Sequence, residues 1–222
     1  MSARDAILGR IRRSLGVNKG DPGRRAIVIA RLDGAPKGVI PARGQLPPAG
    51  QRVLFRKMAE KVSATVAEVV SRDDIPKAIA EYLRGHNLPA SVRIGDDPIL
   101  TRLPWGNTQI EVSRGASDGN DPVSVSHAVA GIAESGTLML TSGMENPSTL
   151  NFLPETHIVV VAAKDLVGDY EAAWAKLRAH HGKGILPRTV NLVTGPSRSG
   201  DIEQTIILGA HGPRRLHIIV VG

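Results

Sequence analysis

Apolar and polar positions follow two rhythms along this chain. Short, nearly continuous apolar runs at 64–70, 91–95, 156–163, 189–193 and 215–221 read as strands buried within a sheet. TLMLTS at 137–142, reached from VSVS at 123–126 through HAVAGIAESGT, adds one more, and 110–112 fits a short one. Between them lie stretches of helical spacing. Val53 to Val62 is one, and a second starts at Asp73 or Asp74, carries Pro76 in its first turn and Ile79, Tyr82 and Leu83 on its inner face, and stops near Gly85. A third runs from Asp165 to His181 with Leu166, Tyr170, Trp174 and Leu177 on one side and a histidine pair at its end. Helices alternating with strands predict an α/β fold with a mixed, mostly parallel open sheet and helices on both faces. The medium loop between 137–142 and 156–163 suits an antiparallel pair appended to that sheet.

The first fifty residues differ from the rest. Ser2 to Leu15 has a capping serine and an Ile7, Leu8, Ile11, Leu15 stripe, which predicts an amphipathic helix ended by Gly16. From Val17 to Gln51 glycine and proline are dense, and this stretch reads as an extended strap. The expected organisation is a helix and strap over 1–50 and a compact α/β domain over 51–222.

Charge sharpens that division. The chain of 222 residues carries a formal net charge of +7, but residues 1–56 hold twelve basic against three acidic side chains while the remainder holds 16 basic and 18 acidic. The basicity belongs to the amino-terminal quarter, as in an arm that meets an acidic partner surface or simply stays solvated. Aromatic residues make up 3% of the chain, which speaks against base stacking, so nucleic acid is an unlikely partner. No apolar stretch reaches the ~18 residues of a membrane span, and the charged first twenty residues do not resemble a signal, so the expected location is cytoplasmic. Cysteine is absent, so this chain offers neither thiolate ligands for a cluster nor a cysteine nucleophile.

Two segments concentrate candidate chemistry. Gly195, Pro196, Ser197, Arg198, Ser199 and Gly200 follow a strand and precede an expected helix from Asp201 to Leu208. Glycines would let a ligand approach the backbone, free amides at the helix start would face it, and Arg198 offers a fork suited to a carboxylate or phosphate. Equally, Asp201 and Gln204 can form a capping box while Arg198 pairs with Glu203. The second segment is Glu134, Ser135, Gly136 and Thr137 at an expected helix-to-strand junction, where a carboxylate pressed between Ile132 and Leu138 would suit acid, base or nucleophilic chemistry. Alternatively, Glu134 only hydrogen-bonds the turn. His157 opens a strand, His211 follows the glycine-rich element, and His217 reads as a core imidazole. With no HxH or HExxH spacing, no metal site is expected, the remaining possibility being one the fold would assemble from His127, His157 and His211.

GIAESGTLML at 131–140, LPETHIVVV at 153–161 and TGPSRSGDIEQTIILGAHGPRRLHIIV at 194–220 resemble the lactate-utilisation domain, and within it the lactate-utilisation protein C family. The likeness covers the compact region and is weak over the strap, and Ser135, Ser199 and Gly200 stand where Thr, Thr and Ala would be expected. The resemblance implies a fold similar to the ribose-5-phosphate isomerase, glucosamine-phosphate deaminase and CoA-transferase group. It also implies a role in oxidising L-lactate to pyruvate with iron–sulfur partner proteins that carry the clusters this chain cannot hold. The expected site then gathers Glu134 to Thr137, His157, Gly195 and Ser197 to Glu203 around a small carboxylate. Arg198 would grip it, Ser197 and Ser199 would orient it, and Glu134 or His211 would move a proton. A stand-alone enzyme for an acyl-CoA or sugar phosphate, and a scaffold for iron–sulfur subunits, are the competing readings.

Overall fold

The computed structural model describes residues 2–182, 184–202 and 205–222, with 201, 202, 205 and 206 described by their backbone alone. The chain divides into two units, Met1–Gly38 and Val39–Gly222. In the first, α1 (Ala3–Ser14) is capped by Ser2, whose hydroxyl accepts from the Asp5 amide, as the sequence predicts. The strap reading needs correction. Residues Pro22–Gly34 form α2, started by the Asp21 side chain and by proline in the first turn, and Ala35 in a left-handed conformation ends it. Both helices leave their apolar residues exposed, Ile7, Ile11 and Leu15 on one and Ile27, Ile29 and Leu32 on the other.

The second unit contains α3 (Pro48–Lys61), β1 (Thr65–Val69), α4 (Ile75–Gly85), β2 (Ser91–Ile94), α5 (Pro98–Thr101), β3 (Glu111–Arg114) and β4 (Val123–His127). It continues through β5 (Ala130–Ile132), β6 (Thr137–Thr141), α6 (Thr149–Phe152), β7 (Thr156–Ala162), β8 (Leu166–Val167) and α7 (Tyr170–His181), and ends with β9 (Val190–Val193), β10 (Arg198–Ile202), β11 (Thr205–Leu208) and β12 (Arg215–Val221). Six strands form one open sheet in the order β1-β12-β7-β4-β2-β3, every pair parallel.

Alternation explains how that sheet is buried on both faces. In β7 and β12, Ile158, Val160 and Ile219 pack with Ile75, Ile79 and Leu83 of α4, while Val159, Val161, Ile218 and Val220 pack with Phe55 and Ala59 of α3. Phe55 is fully buried, a burial that stabilises by about 1.5–3 kcal/mol. His217 points to the α4 side, stacks on Tyr82 at 4.0 Å and shares a 2.7 Å hydrogen bond with Thr65, so it is a satisfied core imidazole.

The expected antiparallel pairing of β6 with β7 does not occur. Strands β8, β5, β6 and β9 make a separate sheet in which β6 pairs antiparallel with both β5 and β9. Leu138 and Leu140 of β6 join the core around Phe55, and Met139 faces Ala173 and Leu177 of α7. A strand so apolar on both sides needs two covers, and a place between the main sheet and α7 supplies them. The expected helix over 201–208 is also a correction: β10 and β11 form an antiparallel hairpin. Glu203 and Gln204, the proposed ion-pair and capping partners, lie outside the described residues.

Candidate functional site

The glycine-rich segment and the glutamate turn do meet, though not as the sequence suggests. Residues 133–136 are a tight turn between β5 and β6 rather than a helix end. Gly136 has φ +68°, and a Cβ there would lie 2.3 Å from the Ala59 backbone nitrogen. Gly195 has φ +72°, and its Cβ would come within 2.4 Å of the Val62 carbonyl. Both turns therefore press on the carboxyl end of α3 in a way only glycine permits. Between them Thr137 Oγ1 meets Thr194 Oγ1 at 2.7 Å, and Ser135 and the Tyr170 hydroxyl complete the cluster at 2.7–3.0 Å.

Beside Thr194 opens a cavity of about 240 Å³ whose wall includes Asn151, His157, Gly195, Ser197, His211 and Leu216. It lies at the amino ends of β7 and β12 and against the end of β9. His157 is fully buried beneath it. Register places His157 opposite Ser124, with Ser126 two residues further along β4, and the Ser126 hydroxyl lies 3.0 Å from His157 Nε2. That hydroxyl donates to Asn151 Oδ1 at 3.2 Å. A serine that donates there must accept from His157, which fixes the proton on Nε2 and leaves Nδ1 as a lone pair. Burial, with no anionic partner, drives the His157 pKa down to about 3.

Two buried atoms of this network have no partner among the described residues: His157 Nδ1, an acceptor, and Asn151 Nδ2, a donor. Buried polar groups are ordinarily satisfied, so two residues lining one cavity that each hold an unpaired acceptor or donor mark where a ligand would bond. A hydroxyl can donate to Nδ1, and a carboxylate can accept from the Asn151 amide, the Ser197 hydroxyl and, at the exposed rim, His211. With its pKa near 3, His157 is too weak a base to take a hydroxyl proton near neutrality and serves as a hydrogen-bond acceptor.

Of the expected residues, the structure brings His157, Gly195, Ser197 and His211 together, with Thr137 one hydrogen bond behind them. Glu134 lies elsewhere. Its Oε1 accepts from the Tyr170 amide at 3.3 Å, Arg43 stands 4.0 Å from Oε2, and neither it nor Ser135 or Gly136 lines the cavity. Arg198, at the base of the hairpin, donates to Ser63 Oγ at 2.8 Å and also lies outside the wall, as does Ser199. Asp201 belongs to the backbone of β10 and Glu203 lies outside the described residues. Thus no Lys or Arg among the described residues lines the cavity. Asn151 and Ser126 escaped sequence reasoning. The second left a signal, since two serines spaced by two in the buried run VSVSH put hydroxyls on one face of a core strand. Among the described residues no cluster of three metal-ligating side chains exists, and His127 lies at the other end of its strand from His157.

Residues 120–221 match the LUD domain family model. A stretch of 91 residues is 41% identical to the lactate utilization protein C of Geobacillus sp. (strain WCH70) and covers 40% of this chain and 38% of that protein. A longer match, 29% identical over 178 residues, covers 75% of this chain and 76% of the lactate utilization protein C of Exiguobacterium sp. (strain ATCC BAA-1283 / AT1b). In fold the chain is similar to the crystal structure of a DUF162 family protein from Deinococcus radiodurans, with a TM-score of 0.60 and 23% identity over 80% of this chain and 99% of that one.

Proposed function

Because the chain belongs to the lactate utilization protein C family of LUD-domain proteins, we propose that it acts in lactate utilisation by holding a small 2-hydroxy carboxylate over His157. The carrying observation is that two residues lining one cavity, His157 and Asn151, each hold a buried nitrogen without a partner among the described residues, Nδ1 and Nδ2. A 2-hydroxy acid presents the complement: a hydroxyl that donates and, on the next carbon, a carboxylate that accepts. Oxidation of lactate to pyruvate releases two electrons and two protons, and a chain without cysteine holds no cysteine-ligated cluster to accept those electrons. In this reading they pass to iron–sulfur partner proteins, and the exposed basic helices α1 and α2 suit an acidic face on such a partner.

Titration of the full chain with L-lactate and with acetate, followed calorimetrically, tests the site. L-lactate should bind more tightly than acetate, which lacks the hydroxyl. Asn151→Leu should weaken lactate by ~10-fold, about 1.4 kcal/mol, without lowering the melting temperature by more than a few degrees. Equal affinity for the two acids, or an Asn151→Leu protein that binds lactate as well as the parent, would overturn the reading.

A further inference from the structure

The carboxyl edge of the main sheet, opposite the cavity just described, holds a second constellation. Strands β2 and β4 are parallel neighbours in register at Ile94 and Val125. From β2 the chain goes outward to β3, and from β4 it goes the other way to β7. Connections that diverge from adjacent parallel strands leave a crevice at their carboxyl ends, the place where open α/β sheets receive ligands. Two side chains occupy that point here: Asp97, just past β2, and His127, the last residue of β4.

Their geometry is that of a proton-handling pair. His127 Nδ1 lies 3.1 Å from Asp97 Oδ2, and Asp97 Oδ1 accepts from the Ile99 amide at 2.7 Å. Burial works against the Asp97 charge, but the hydrogen bonds from His127 and the Ile99 amide, with the charge of Arg72, outweigh it and hold the carboxyl below its ordinary range. An ionised aspartate keeps the imidazole proton on Nδ1 and turns the lone pair of Nε2 outward. Among the described residues Nε2 has no partner, and His127 lines two adjoining cavities of about 140 and 230 Å³. The smaller is flanked by Arg72 and Lys164, neither of which has an ion-pair or hydrogen-bond partner among the described residues. Asp165, on the same wall, is already neutralised by Lys176.

We propose that this crevice is a second small-molecule site, built for a small dianion that carries a proton donor, with Arg72 and Lys164 taking the charge and His127 Nε2 accepting the proton donor. Two cations that form no ion pair among the described residues stand on one small cavity and suit an anion there, Arg72 acting on Asp97 only at longer range. An aspartate-oriented imidazole beside them matches a hydroxyl on the same molecule. Asp97 is a positioning residue, because it acts through His127. The site shares no lining residue with the cavity over His157, so it stands whether or not lactate binds there.

The probes are inorganic phosphate, a dianion with a hydroxyl at mildly alkaline pH, and sulfate, a dianion without one. Calorimetric titration of the full chain should show phosphate binding more tightly than sulfate, with acetate weaker than both. Arg72→Ala with Lys164→Ala, both at exposed positions, should weaken both dianions by ~10-fold or more. His127→Leu should abolish the preference for phosphate over sulfate, a readout that loss of charge alone would not move. Phosphate affinity should be unchanged when L-lactate is present at saturation. No measurable phosphate binding, a double variant that binds as the parent does, or competition between phosphate and lactate would each overturn the proposal.

Discussion

His157 and His127 belong to neighbouring parallel strands and stand at opposite ends of the same sheet, yet their surroundings make them different reagents. His157 is sealed, paired only with a serine hydroxyl, and held neutral with a pKa near 3. His127 is partly open, backed by an ionised aspartate, and turns its second nitrogen toward two cavities. The first can accept a hydrogen bond and little more, while the second turns an aspartate-oriented nitrogen toward open space. The sheet supplies both positions, and the nearest side chain decides which chemistry each can do.

Acid should expose the contrast most strongly. His157 and His217 have folded-state pKa values of about 3 and about 4, well below the unfolded value near 6.5, so between those limits the unfolded chain binds more protons than the folded one. Stability is therefore full above about pH 6.5 and falls as the pH drops toward 4, by up to about 1.4 kcal/mol per unit for each histidine. Urea denaturation at pH 7 and pH 5 should show a loss of about 4 kcal/mol, and His217→Phe should flatten roughly half of it. An unchanged midpoint would mean that neither imidazole is held neutral by burial.

Ser126→Ala comes next. It removes the hydroxyl that bridges His157 to Asn151 and leaves two further buried polar atoms unpaired, for a loss of about 2 kcal/mol by denaturation. Asp97→Ala strips the Ile99 amide of its acceptor and frees the His127 ring, which should lower stability by about 1 kcal/mol while leaving lactate affinity untouched. A change in lactate affinity there would break the separation of the two sites. Arg198→Ala should have the smallest effect, less than about 0.5 kcal/mol and no change in lactate affinity, because its guanidinium is exposed and, among the described residues, donates to Ser63 rather than to the cavity wall.

The parallel sheet was legible because its strands are buried on both faces and must be apolar throughout, as in THIVVVAA and RLHIIVV. The α4 helix was legible from Pro76 in its first turn and from Ile79, Tyr82 and Leu83 at helical spacing. Where tertiary partners decide, local signals misled. Thr205, Ile206 and Ile207 are β-branched, but the spacing of Asp201 and Gln204 imitates a capping box, and strand is settled by the antiparallel pairing of β10 with β11. Asp21 and Pro22 announce α2 clearly, yet glycine and proline density around them favoured an extended strap. Of the residues that line the cavity, His157, Gly195, Ser197 and His211 stand out in the sequence by their chemistry. Asn151 was hidden in a turn-rich connection, and Glu134 and Arg198 drew attention by charge although their partners lie outside the cavity.

The central claim is that His157, neutral and protonated on Nε2, offers Nδ1 to the hydroxyl of a small carboxylate. Nitrogen-15 NMR of the histidine rings, with and without L-lactate, reads this directly. The account predicts a neutral His157 with its proton on Nε2 at pH 6 and a shift of its Nδ1 resonance on adding L-lactate that acetate does not reproduce. A protonated His157 at that pH, or an Nδ1 resonance indifferent to lactate while lactate is bound, would contradict it.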